Sequence, residues 1–382
     1  MVIAGGAARG AWQAGVMRYL FERLPKHLGH LPWPDVISGN SVGALNGVNV
    51  AARSLERVQT LSHLWQTMTI EQIYRVRPQD VVATVYNSFW SSGAFALLDA
   101  EPLADMVQRM FPERELREAI AFGDTRAFIV TATELDTGIN TLFLDSHDPD
   151  VWLEAAPGSQ VKRGHITFEH CLASAALPLL FEPVPINGQL HVDGMLRQNT
   201  PLRPVIQTGV SHILVVGIDN AHHPLAIQGS VVPTFAFIAG KTINALLMDP
   251  VDADIRTVER LNEVVRWGRK RFGEAFARAI EEEHGVREID ILRISPSEDL
   301  GSVARTVFHA HPPEVSAPVW ALLSLLADPA NTGESDLLSY LLFDHHYTAE
   351  LERLGYEDAA KHEEMLARFI LAAEARAAEE RG

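Results

Sequence analysis

Residues 35–43 read Asp35-Val36-Ile37-Ser38-Gly39-Asn40-Ser41-Val42-Gly43, and the small residues 44–52 follow directly. The apolar start predicts a short strand and the end a helix, with Gly-x-Ser-x-Gly on the turn between them. A serine hydroxyl is a poor nucleophile unless geometry exposes it. A sharp strand-to-helix turn does so, and glycines at 39 and 43 relieve the crowding it creates. The helix behind the turn directs its N-terminal N–H groups and the positive end of its dipole at the same point. Ser41 is therefore the candidate nucleophile. The five-residue pattern alone arises by chance in about one chain in eight of this size, so its placement between strand and helix carries the weight.

Outward from this turn, the same handover from strand to helix recurs. Strands are expected at residues 2–4, 36–38, 127–133, 190–193, 213–218 and 289–294, and helices at 10–24, 43–52, 100–110 and 201–208. That alternation predicts an α/β fold with a mostly parallel central sheet. Thr200 is the expected N-cap of the last of these helices, with Pro201 at its first position. Asp136-Thr137-Gly138-Ile139-Asn140 reads as a hairpin that adds an antiparallel strand near 141–144. Residues 54–99, with Trp65, Tyr74, Tyr86, Phe89 and Trp90, are expected to be helical and to cover one side of the site. The chain divides into an α/β domain over residues 1–300 and a helical C-terminal extension over 301–382, where Leu366, Phe369, Ile370 and Ala373 form an apolar stripe on a packing helix.

Composition narrows the function. The chain has 382 residues, 47% of them hydrophobic and 21% charged, as in an ordinary globular protein. A net charge of −17 opposes nucleic acid and electrostatic docking on an anionic bilayer, so contact with lipid would be apolar or arranged by a partner. The single Cys171 lies in an apolar run, which suits a buried thiol in a reducing compartment. No basic region precedes Val2 and Ile3, so no signal peptide is expected, and the shortness of the first strand suggests that the chain start clips it. Residues 231–248 are apolar but contain Pro233, Lys241 and Asn244, which fits a buried or interfacial helix better than a membrane span. The expected location is cytoplasmic, with peripheral contact to membrane.

Acyl transfer from a serine needs a base for its proton and donors for the oxyanion. Gly5-Gly6-Ala7-Ala8-Arg9-Gly10 follows the first strand and opens a helix, so its backbone N–H groups converge on one point. A nucleotide loop is the rival reading, but Ala7 stands where Gly-x-Gly-x-x-Gly needs its second glycine, and no Lys-Ser/Thr ending follows. The Val42 N–H, just after the nucleophile, is a further donor. Asp193, in Leu190-His191-Val192-Asp193-Gly194, ends a strand where open α/β sheets place their sites, and is the candidate base.

These blocks together resemble the patatin-like phospholipase family. Residues 5–10 look like its oxyanion loop, Gly39-Asn40-Ser41-Val42-Gly43 its nucleophile elbow, and Asp193-Gly194 its Asp-Gly motif. Ala173-Ser174-Ala175-Ala176-Leu177-Pro178 with Phe181-Glu182-Pro183-Val184 resembles the segment upstream of the aspartate, and Asn199-Thr200-Pro201-Leu202 the one downstream. The resemblance implies a three-layer patatin-like fold and a Ser41–Asp193 dyad. Gly5, Gly6, Ala7, Ala8 and Val42 would form the oxyanion hole, with Arg9, Gly10, Gly39, Gly43 and Gly194 in support. It also implies hydrolysis of fatty-acyl esters in phospholipids or lysophospholipids at a membrane or micelle surface, without metal or cofactor. The alternatives are acyl transfer to another alcohol, or a catalytically weak lipid-binding or regulatory protein. Two departures bear on the last of these. Ala7 replaces a third glycine, which matters if that position needs positive φ, and Met195 follows Asp193-Gly194 where a small residue is commoner.

The histidines carry less. His191 shares a strand face with Asp193, His170 lies nearby in sequence, and His212, His222 or His223 would suit a Ser-Asp-His order. His309-Ala310-His311 and Asp344-His345-His346 lack the spacing of a closed metal site and read as surface or capping residues. Arg9 is expected to brace the glycine loop rather than to touch substrate.

Overall fold

The computed structural model describes residues 1–76, 96–196, 200–218, 251–327 and 336–381. Tyr86, Phe89, Trp90, Asn199, His222, His223 and the apolar run 231–248 lie outside the described residues.

Among the described residues, nine strands form one sheet: β1 Val2–Ile3, β2 Val36–Asn40, β3 Ala127–Glu134, β4 Asn140–Asp145, β5 Ser159–Arg163, β6 Val184–Ile186, β7 Gln189–Asp193, β8 His212–Val216 and β9 Asp290–Ile294. The main path runs β5-β4-β3-β2-β1-β8-β9, and β7 joins β3 and β6 off that path. Pairing is parallel along the path from β3 to β9, while β4 and β7 lie antiparallel to β3. The expected mostly parallel α/β sheet is present, with two strands, β5 and β6, that the apolar pattern does not announce. Residues 159–163 are Ser-Gln-Val-Lys-Arg, half-buried at the sheet edge, so they lack an apolar run.

Alternation along the strands sorts side chains onto two helical layers. Ile3, Ile37, Phe128 and Val216 face helices α1 Gly10–Glu22, α2 Val42–Ala51 and α3 Leu55–Thr67. Val2, Val36, Ile129 and Val215 face the opposite layer, into which Leu202, Val205 and Val258 project. Further helices in chain order include α4 Glu101–Met110, α5 Phe168–Ser174, α6 Leu202–Gln207, α7 Val251–Phe272, α8 Leu300–Ala310, α9 Asp336–Leu341, α10 His345–Lys361 and α11 Glu363–Arg381. α6 begins one residue later than the Pro201 start expected from sequence. Pro201 is itself the N-cap, at φ −79° and ψ 67°, and the Leu202 N–H donates to the Thr200 carbonyl at 2.8 Å. That tight three-residue turn takes the place of a Thr200 side-chain cap.

The described chain from Leu300 onward is helical, and it packs closely on the first layer. α10 crosses α1 so tightly that a Cβ at Gly15 would sit 1.9 Å from the Glu352 carbonyl oxygen, and one at Gly355 would sit 1.9 Å from that of Trp12. Polar anchors fix the same crossing. Trp12 donates its indole N–H to Asp358 at 3.0 Å, and Arg18 forms a fork on Glu352 at 2.6 and 3.1 Å. On α11, Leu366 is fully buried and Phe369 and Ile370 pack partly against the core.

Candidate active site

The register of β3 explains how residues 41 and 193 come together. β2 runs beside β3 until Asn40 pairs with Thr131, and the chain then turns away at Ser41. β7 enters from the other direction and takes the same side of β3, its last residue Asp193 opposite Ala132. β4 occupies the other side along the same stretch. Two strands thus meet end to end in one lane of the sheet, and Ser41 and Asp193 stand at the junction.

Ser41 has φ 53° and ψ −130°, a conformation that is costly for a residue with a side chain. Packing holds it there. A Cβ at Gly43 would lie 2.3 Å from the Ile3 carbonyl oxygen, so only glycine lets α2 start this close to β1. At Gly39 a Cβ would meet the Gly43 carbonyl oxygen at 2.4 Å. The Ser41 N–H donates to Ser174 Oγ at 2.8 Å, while the Ser41 carbonyl accepts from Ala44 at 2.9 Å and opens α2. The Val42 N–H is the first of that helix and has no intrahelical partner.

Asp193 is fully buried. Its Oδ1 accepts from Asn40 Nδ2 at 3.1 Å and from the Met195 N–H at 2.9 Å. Asn40 is aimed by Thr131, whose hydroxyl donates to Asn40 Oδ1 at 2.7 Å. Oδ2 accepts no hydrogen bond of regular geometry from the described residues, although the Ser41 hydroxyl is close enough to favour the charged carboxylate. Burial is the dominant influence and lifts the Asp193 pKa to about 6, against the pull of Ser41, Met195 and Asn40. The folded state therefore holds this proton more tightly than the unfolded one. Stability from this group is present at acid pH and is lost as pH rises from the ordinary aspartate range through about 6. The loss amounts to roughly 3 kcal/mol.

The glycine loop lies across from the elbow. Ala7–Arg9 form a single 3₁₀ turn leading into α1, and Ala7 has φ 48°. The position occupied by alanine does require positive φ. Gln13 Nε2 donates to the Ala4 carbonyl at 2.8 Å and fixes the base of the loop. Arg9 is buried, donates Nε–H to Ser339 Oγ at 2.8 Å, and stacks its guanidinium 4.1 Å from the Tyr340 ring centre. It turns away from the cleft to grip the C-terminal part of the chain.

Ala7, Ser41 and Val42 are among the lining of an apolar cleft that is partly open to solvent. Leu45, Leu61 and Trp65 from one side, Met106 and Val107 of α4, and Phe343 form its walls. Of the region 54–99 expected to cover the site, Trp65 lines the cleft, and residues 77–95 lie outside the described residues. Met195 is buried in the core, outside the cleft lining among the described residues.

The histidines and the cysteine sit apart from Ser41 and Asp193. His191 Nδ1 is 2.9 Å from the Gln189 carbonyl, and its ring, like that of His170, packs on Phe143; desolvation keeps both pKa values low, that of His170 at about 4. His212 opens β8 at the far end of the sheet, near Asp290. Cys171 is buried, and desolvation raises its thiol pKa. Asp344, His345 and His346 come together with ligand-capable atoms within 4.8 Å of one another, and Asp344 caps α10 by accepting from the His346 N–H at 3.0 Å. Asn40 holds Asp193 and Ser174 holds the elbow, and neither stands out in the sequence as a functional residue. The only signal for Asn40 is its place inside the elbow, and for Ser174 its place in the block upstream of Asp193.

A family model described as patatin-like phospholipase matches residues 1–206. Two proteins called lysophospholipase NTE1, from Cryptococcus neoformans var. neoformans serotype D strains JEC21 and B-3501A, are each 31% identical over 98 residues, or 24% of this chain. The match spans 6% of the length of those curated relatives. Among solved structures, VipD from Legionella pneumophila aligns over 95% of this chain and 66% of its own, at 12% identity and a TM-score of 0.33. No helix among the described residues is long and apolar enough to cross a membrane.

Proposed function

Since the chain belongs to the patatin-like phospholipase family, and that membership supports lipid acyl hydrolysis as its chemistry, we propose that it cleaves fatty-acyl esters of phospholipids or lysophospholipids through an acyl-Ser41 intermediate. Ser41 Oγ attacks the ester carbonyl carbon while its proton passes to the Asp193 carboxylate. The oxyanion is held by backbone N–H groups of the glycine loop and Val42, supported by the dipole of α2. Collapse returns the proton from Asp193 to the leaving alcohol oxygen. Water then attacks the acyl-enzyme and gives a proton to Asp193, which passes it to Ser41 Oγ as the fatty acid leaves.

One observation carries this reading: a fully buried carboxylate, its pKa lifted to about 6, abuts the serine of a strained strand-to-helix turn. A base with that pKa is largely ionised at neutral pH yet strong enough to accept a hydroxyl proton as the bond forms. The apolar cleft beside Ser41 suits an acyl chain, and the part-length likeness to lysophospholipases favours lysophospholipid as the first substrate to try.

The test is hydrolysis of a medium-chain p-nitrophenyl ester, and of lysophosphatidylcholine micelles, by wild type, Ser41→Ala and Asp193→Asn. The reading predicts turnover by wild type and a loss on the order of 10³-fold or more in both folded variants. An inert, folded wild type that a fluorophosphonate also fails to label would favour a lipid-binding protein, for which the alanine at φ 48° would be the first place to look.

A further inference from the structure

The site is not complete within the family-matched stretch, residues 1–206. We propose that Ser339 and Tyr340, on α9 near the C-terminus, are positioning residues for the glycine loop, so that the helical C-terminal region is part of the catalytic unit. The proposal deepens the ester-hydrolase reading and rests on it for its kinetic arm.

The side chains of the loop itself offer little to hold it. Residues 5–8 are Gly-Gly-Ala-Ala, with no polar or long side chain, and Ala7 sits at a φ that alanine does not choose. Arg9 is the one long side chain on the turn. Its Nε–H bond to Ser339 and its stacking on Tyr340 connect the 3₁₀ turn to a helix 330 residues away. Both partners are buried, so the grip is made out of water, where a charge-assisted hydrogen bond and a cation–π contact are strong.

α9 is a firm anchor. The Tyr74 hydroxyl donates to the Leu341 carbonyl at 2.9 Å, and Phe343, two residues further on, stacks against Trp65 with ring centres 6.2 Å apart. Trp65 and Phe343 both line the acyl cleft. One short stretch, residues 339–343, thereby grips the oxyanion loop and forms a wall of the cleft. Ser339 and Tyr340 touch no reacting atom; they act through Arg9. Their loss should displace the donors from where the oxyanion forms while the cleft keeps its lining. The effect belongs in kcat and not in KM.

The experiment compares wild type with Ser339→Ala/Tyr340→Leu and with Tyr340→Phe, reading kcat, KM and amide hydrogen exchange of residues 6–9. The double variant should lose about tenfold to hundredfold in kcat, with KM within about twofold and faster exchange in the loop. Tyr340→Phe keeps the ring and should keep kcat and slow exchange. Should the double variant fail to fold, Arg9→Lys provides the same test, because lysine retains the charge but loses the planar Nε–H contact. Wild-type kcat and exchange in the double variant or in Arg9→Lys would overturn the proposal, as would a fall in kcat with loop exchange unchanged. An inert wild type would count against the ester-hydrolase reading alone, because hydrogen exchange reports the brace directly.

Discussion

The Ser41 turn and the glycine loop each hold a residue with a side chain at positive φ, Ser41 at 53° and Ala7 at 48°, but different parts of the molecule hold them there. Around Ser41 the constraint is local to the sheet. Gly43 seats α2 against the carbonyls of β1, Gly39 lets the chain fold back on itself, and Ser174 receives the Ser41 N–H. Around Ala7 the constraint arrives from far along the chain, through Arg9 and its partners on α9. Strain imposed by close backbone packing is steep and hard to relax. Strain imposed through one long side chain is softer. The elbow should therefore tolerate substitution poorly, whereas the loop should respond in graded fashion.

The comparison is broken most severely at Gly43. A methyl group there would lie 2.3 Å from one backbone oxygen and 2.7 Å from the next, so α2 must move off β1. Gly43→Ala is expected to destabilise the fold by about 1–3 kcal/mol and to reduce kcat at least about tenfold by misplacing Ser41; thermal unfolding and steady-state kinetics check both. Wild-type behaviour would mean that the elbow is not held by this packing. Ala7→Gly sharpens the other side. Glycine adopts φ 48° without strain but loses more entropy on folding, so the two effects nearly cancel. Stability should stay within about 1 kcal/mol of wild type and kcat should be equal or a few-fold higher. A large loss of activity would show that the Ala7 methyl group itself matters.

Legibility in the sequence follows the same division. The elbow, the loop and the Asp-Gly strand end are short contiguous motifs, and periodicity places the strands that carry them. The lane shared by β2 and β7 on one side of β3 is a non-local pairing with no local trace, so only resemblance to a family joins Ser41 and Asp193 at the level of sequence. Asn40 reads as a variable residue inside Gly-x-Ser-x-Gly, yet it bridges Thr131 to Asp193. Its task becomes visible only once β3 supplies the third partner. The grip of Arg9 on Ser339 is less legible still, because nothing in residues 336–341, Asp-Leu-Leu-Ser-Tyr-Leu, distinguishes them from an ordinary apolar helix. The expected helix start at Pro201 fails for a local reason, a tight turn that competes with the Thr200 cap.

If a buried Asp193 serves as the base, the pH dependence of kcat/KM on a soluble, non-ionisable ester reports its ionisation. Only the carboxylate accepts the Ser41 proton, so activity should be full above neutrality and fall with one proton as pH drops through about 6. A midpoint there, together with loss of activity in Asp193→Asn, is the predicted result. A profile that stays flat down to about pH 4, the range of an ordinary aspartate, would contradict the account.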